Sequence, residues 1–237
     1  MSGRLIAYMF RETGLVLIAT ELSLNRIALV LEFVLLFVAV PICFRLLPMR
    51  LSPLPPLWIA TVYCYMVLRS NGYDRHALWN PVPLCTQLPA ILAGFVIAAI
   101  ALTAFVWWRF PDQLFGFVRS HPVFWGIVMM AYPVLSVYPQ GIIYRAFVFE
   151  RYRSLFPGTV LMIVVSAAVF GFSHIIFRSP WSVVLTFAAG LLFAWRFAMT
   201  NSLLVSAIEH ALYGCYIFTV GLGALFYHGA GEQLVKR

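Results

Sequence analysis

The chain has 237 residues, of which 63% are hydrophobic, 16% aromatic and only 10% charged, where a soluble domain carries about 25% charged residues. So few polar residues cannot form a wettable exterior, and so much apolar surface excludes intrinsic disorder. The net charge of +8 comes almost wholly from arginines strewn singly, with Lys236 the sole lysine. This is the pattern of anchors at a lipid interface rather than the clustered basic face of a nucleic-acid binder. The expectation is an all-α, polytopic membrane bundle with the lipid bilayer as solvent and no nucleic-acid partner.

In chain order, Met1–Arg26 is apolar but broken by Arg4, Arg11, Glu12 and Glu21. It lacks the long uninterrupted core of a cleaved signal peptide, so residues 1–26 read as an amphipathic or interfacial segment. Residues 27–237 read as one transmembrane bundle. A span needs about 20 mostly apolar residues. Low-charge runs place spans at Ile27–Phe44, Leu57–Leu68, Leu88–Trp108, Ser120–Tyr144, Ser154–Phe177, Ser179–Trp195 and Leu203–Gly221. Of these, Leu57–Leu68 is short and follows Pro53, Pro55 and Pro56, as a partly re-entrant segment or one extended by non-helical chain would. With a partial N-terminal helix this predicts about seven to eight transmembrane helices. The arginines divide almost evenly between the two sides, so orientation is not legible. The cysteines lack paired spacing, and Cys43, Cys64 and Cys215 lie in apolar runs as small core residues.

Polar side chains inside spans cost free energy and by default face the bundle interior with a partner. Four places qualify. Gln140 and Arg145 lie toward the end of the fourth run, where Arg145 alone reads as a snorkelling arginine. His174 closes Phe170-Gly171-Phe172-Ser173-His174, with Phe170 and His174 four apart on one helix face. Ser206, His210 and Gly214 share a face of the last span, with Glu209 about 100° away. Glu32, near the start of the first span, reads as a headgroup-level carboxylate or a partner of Arg26.

Several intramembrane chemistries fail against these residues. There is no HExxH for a zinc protease. The two aspartates, Asp74 and Asp112, both fall in loops. Ser173 lacks the closing glycine of a GxSG nucleophile. Two histidines are too few for a metal site, so no metal and no cofactor is expected.

In order and spacing, the motifs resemble the CPBP family of intramembrane glutamic endopeptidases, which includes the CAAX prenyl proteases and bacteriocin-processing proteins. Its first motif, EExxxR, aligns with Gln140-Gly141-x-x-x-Arg145. Its second, FxxxH, aligns with Phe170-x-x-x-His174. Its third, HxxxN, aligns with His210-x-x-x-Gly214. The string from Tyr138-Pro139-Gln140 through Phe149-Glu150-Arg151-Tyr152 is similar to a bacterial branch, and the likeness covers roughly residues 122–229.

The resemblance implies a bundle of about eight helices around a wet cavity open to one leaflet, in a bacterial inner or plasma membrane. It implies that His174 positions or activates water, that His210 steadies the oxyanion and that Arg145 organises the first motif. The departures are Gln140 and Gly141, which replace the glutamate pair, and Gly214, which lacks the asparagine amide. An amide and a bare backbone cannot serve as a general base. Glu209 is the candidate substitute base, or else a structural hydrogen-bond partner of Arg145 or of a backbone group. Glu150 is excluded, lying about half a revolution from Gly141.

The function expected is therefore an endopeptidase acting on membrane-associated or lipidated protein substrates with a compromised first motif. The alternative is a non-catalytic relative that binds a membrane peptide in immunity, sequestration or assembly. A transporter or proton path through Arg145, His174, His210 and Glu209 is weaker, since loops are short and no inverted repeat is visible.

Overall fold

A computed structural model of the chain describes residues 24–47 and 52–226. The N-terminal segment expected over 1–26 lies almost entirely outside these residues. Helices account for the architecture, with no strand among the described residues. We number them α1 (Leu24–Leu46), α2 (Leu54–Ser70), α3 (His76–Trp79), α4 (Leu84–Arg109), α5 (Gly116–Ser120), α6 (Pro122–Arg151), α7 (Thr159–Ser173), α8 (Pro180–Thr200) and α9 (Leu203–Val220). The short turn His174–Phe177 extends α7.

Six of these, α1, α4, α6, α7 with its extension, α8 and α9, are long and apolar enough to cross a membrane. The protein is an integral, multi-pass membrane protein. Helix α2, read as a span from the sequence, has 17 residues and rises only about 25 Å, short of a hydrocarbon core of about 30 Å. Side chains such as Ile97 (70% exposed) and Met130 (80% exposed) point outward, as lipid-facing residues should.

Helix α9 is central, packing against α4, α6 and α8, while α3 lies over its beginning. It starts at Ser202, whose hydroxyl accepts from the Val205 N–H at 3.2 Å and donates to the Asn80 carbonyl at 2.6 Å. That N-cap satisfies an otherwise orphaned donor and ties the α3 loop to α9. Helices α7 and α8 pair most closely, through glycines. A methyl group added at Gly171 would lie 3.1 Å from the Phe187 Cα, and one at Gly190 would lie 3.1 Å from the Ala167 Cα. Small residues permit this backbone approach, which drives helix association where lipid removes the hydrophobic effect.

Helix α6 holds its course through two prolines by local widening. Turns of the wider, i→i+5 kind cover Pro133–Val137 and Ile142–Phe147. Pro139 has no N–H to give the Leu135 carbonyl, and the Trp58 indole donates to that oxygen at 3.1 Å. Pro133 similarly frees the Met129 carbonyl, which the Cys215 thiol approaches at 3.9 Å. Within the second wide turn, the Ser166 hydroxyl donates to the Tyr144 carbonyl at 2.6 Å. The neighbouring helices α2, α7 and α9 thus take up carbonyls along α6.

At the far end of α6, Glu32 of α1 accepts from Arg151 at 2.7 and 3.1 Å and from the Tyr152 hydroxyl at 2.9 Å. This replaces the expected pairing with Arg26. The physical reason is reach: Arg151 and Tyr152 converge where α1 packs on the Phe33–Phe37–Tyr152 ring cluster. Replacing Gly171 by alanine should destabilise the bundle by about 1–3 kcal/mol, because the Phe187 backbone cannot yield. Replacing Gly126, whose added methyl would meet nothing within 4 Å, should leave the midpoint of denaturation in detergent unchanged or slightly raised.

Candidate active site

Three helices bring the three motifs together. Helix α6 supplies Gln140, Gly141 and Arg145; α7 and its extension supply Phe170 and His174; α9 supplies His210 and Gly214. Arg145 is 1% exposed, yet it does not snorkel. Its Nη2 lies 3.3 Å from His210 Nδ1, and its guanidinium carbon lies 5.1 Å from the centre of the Phe193 ring and 5.4 Å from that of Phe170. The edge of Phe170 also meets both imidazoles, with centroids 4.8 Å from His174 and 5.4 Å from His210. Phe193 stacks on His210 at 4.6 Å. Phe170 is therefore the hub of the cluster rather than a bystander at helical spacing.

The hydrogen bonds fix both imidazole tautomers. A guanidinium only donates, so His210 Nδ1 is the acceptor and its Nε2 carries the proton. His174 Nδ1 lies 2.7 Å from the Phe170 carbonyl, which only accepts, so there the proton is on Nδ1 and Nε2 holds a lone pair. One histidine offers a donor and the other an acceptor, the complement needed to hold an oxyanion and to draw a proton from water. The Ser173 hydroxyl donates to that same Phe170 carbonyl at 2.7 Å; with the His174 Nδ1 proton also committed there, Ser173 has no base to activate it.

The first motif contains no side chain that can take a proton. Gln140 donates from Nε2 to the Ser136 hydroxyl at 2.8 Å, and its Oε1 is buried without a partner. Gly141 is buried, and a Cβ built there would lie 3.4 Å from Arg145 Nη1 and 2.8 Å from the Cδ1 of Leu203. Position 141 thus addresses Arg145, with the tip of Leu203 filling much of the room a side chain would use. At Gly214, a Cβ would run into the Tyr132 ring; Tyr132 also sets its edge against His210 at 6.5 Å. Tyr132 fills the place of the missing amide side chain.

Glu209 does not reach this cluster. Its two carboxylate oxygens accept from Arg196 of α8, at 2.9 Å from Nε and 3.0 Å from Nη2, and Arg196 also donates to Gln87 of α4. Glu209 is 1% and Arg196 2% exposed. Arg196, read from the sequence as an interfacial anchor beyond Trp195, is instead inside α8, and the expected bond between Glu209 and Arg145 is replaced by this pair. The reason is helical phase: the roughly 100° between Glu209 and His210 turns the carboxylate toward α8 and α4. Bidentate arginine–carboxylate geometry then holds it there.

The remaining described carboxylates are also committed or remote. Glu150 pairs with Arg153 at 3.2 Å, Glu32 with Arg151, Asp74 accepts from the His76 N–H, and Asp112 sits in the short turn after α4. No described carboxylate pairs with Arg145, and its Nη1 is buried without a hydrogen-bond partner. No group of three or more His, Cys, Asp or Glu gathers among the described residues as a metal would need. A charged side chain at mid-membrane costs about 2.5–3.5 kcal/mol on insertion scales. Aromatic faces return about 2 kcal/mol when desolvated, but they leave the in-plane N–H donors unmet.

Residues 119–216 match the model of the Rce1-like family, described as type II CAAX prenyl endopeptidases. Over these residues, about two fifths of the chain, the match agrees with the resemblance to the CPBP family that the motifs carry. The matched segment contains all three motifs and both histidines. Comparisons with curated proteins and with solved structures find no match. What the match supports is a likeness, at the level of the family, to CAAX-protease-like membrane endopeptidases.

Phe193, Leu203, Tyr132, Arg196 and Gln87 were not legible as parts of this region from sequence. For Arg196 a signal existed, an arginine and a glutamate on consecutive apolar helices. Nitrogen-resolved NMR of the imidazoles should find His174 protonated on Nδ1 and His210 on Nε2, with His210 losing that preference in Arg145→Met. Arg196→Met or Glu209→Gln alone should cost about 3–5 kcal/mol in detergent unfolding, and the paired replacement by apolar residues of similar volume much less.

Proposed function

We propose that this CPBP-family protein binds membrane-associated or lipidated peptide segments at the Arg145–His210–His174 cluster, with endopeptidase chemistry attenuated at position 141. The observation that carries this reading is the commitment of Glu209 to Arg196, which leaves Arg145 without any described carboxylate. With Gly141 in place, the water-activating carboxylate that the resemblance implies has no substitute among the described residues. The histidines, the arginine and the rings that hold them are retained, which suits recognition of a backbone carbonyl and its neighbours.

A second reading is favoured by one observation. The bond from His174 Nδ1 to the Phe170 carbonyl leaves Nε2 as an acceptor, so His174 alone can draw a proton from water and sustain slow hydrolysis. Loss of one general base lowers rates by about 10²–10⁴-fold, and this reading expects a residual activity of that size.

Purified protein should be incubated with a library of membrane peptides beside Gly141→Glu and His174→Ala. Gly141→Glu should raise cleavage about 10²–10⁴-fold, and adding His174→Ala to it should abolish the gain. Slow cleavage by the unaltered chain that is lost in His174→Ala would favour the second reading, and cleavage equal to that of Gly141→Glu would overturn both.

A further inference from the structure

Among the described residues the bundle buries two arginines, Arg145 and Arg196, and treats them differently. Arg196 has a carboxylate on two of its nitrogens and an amide on the third. Arg145, equally buried, has a single imidazole nitrogen on Nη2 and nothing on Nη1. The Phe170 and Phe193 rings attract the guanidinium as a cation but offer no acceptor in its plane. A planar fork of donors is matched by a carboxylate, the group Arg196 receives.

The unpaired edge is directed at a specific place. A Cβ built at Gly141, one turn earlier on α6, would lie 3.4 Å from Nη1. The atom nearest that position is the Cδ1 of Leu203, the free end of a flexible side chain, which can turn aside without moving the backbone. Room for a small anionic group there requires that Leu203, which is fully buried, change rotamer.

We propose that Arg145 takes a carboxylate from outside the chain in the notch beside Gly141, so that a ligand supplies the anion that α6 lacks. This deepens the proposed function, resting on its reading of the cluster as a ligand site. The shared chemistry has two sources, a small free carboxylate or the terminal carboxylate of a peptide.

The full chain in micelles should be titrated with sodium formate against sodium chloride at matched ionic strength, and with a hydrophobic peptide bearing a free C-terminus against its amide. The His210 ring resonances and the thermal midpoint are followed. Formate, or the free-acid peptide in preference to its amide, should shift the His210 signals saturably and raise the midpoint. Gly141→Glu, whose own carboxylate occupies Arg145, should weaken that binding about tenfold or more. A response only to formate assigns the small-ion source, and one only to the free-acid peptide assigns the terminal source. Equal responses in Gly141→Glu and the unaltered chain, reproduction by chloride, or no response in any arm would overturn the proposal. Leu203→Ala, which widens the notch without touching a charge, should tighten formate binding; failure of that variant to fold leaves the Gly141→Glu comparison decisive. Because the readout is binding, restored cleavage by Gly141→Glu stands or falls separately.

Discussion

A guanidinium in a hydrocarbon layer must have its N–H groups met, because no water is at hand to meet them. Two such groups organise this bundle. Arg196 and Glu209 close a bidentate pair that locks α8 against α9 and, through Gln87, both against α4. Removing either charge would leave the other stranded, so the pair constrains the rotation of α9 strongly. That rotation in turn faces His210 toward Arg145 and Phe193. A carboxylate that the sequence offers as catalytic thus serves as the key that sets the histidine in place.

The second arginine depends on a backbone irregularity. In an unbroken α-helix, residues four apart lie nearly in line. The wide turn over Ile142–Phe147 shifts the phase between Gly141 and the end of α6, and its neighbours Phe170 and Phe193 receive the guanidinium on their faces. Wide turns of this kind collect at functional sites, since they redirect side chains without ending the helix. Here the irregularity is met from outside by Ser166, which donates to the Tyr144 carbonyl, while Trp58 and Cys215 reach carbonyls earlier in α6.

Much of this was legible in the sequence where a residue type was expensive in its setting. An arginine, two histidines and a glutamate in apolar runs cannot be accidental, and their spacing on separate runs pointed to one family. The membrane class and the approximate span positions followed from charge-free lengths. What remained illegible was whatever depends on rotation between helices. Glu209 and His210 are adjacent in the chain, yet they serve different partners because neighbours on a helix diverge by about 100°. Phe193 is one of 21 phenylalanines, with nothing in the sequence to single it out. Arg196 marked the end of a run only because charge was read as a boundary; its burial needed a partner on another helix. The packing of Leu203 against Gly141 likewise depends on assembled geometry.

The wide turn at Ile142–Phe147 has a consequence for how this chain can change over time. Such a turn is equivalent to an ordinary helix carrying one inserted residue. Losing a single residue there would restore a regular helix and swing everything beyond it by about 100° relative to Gly141. Arg145 and the Arg151–Tyr152 anchor on Glu32 could not then both keep their partners. The segment should therefore absorb substitutions far more readily than deletions, its length being held by geometry.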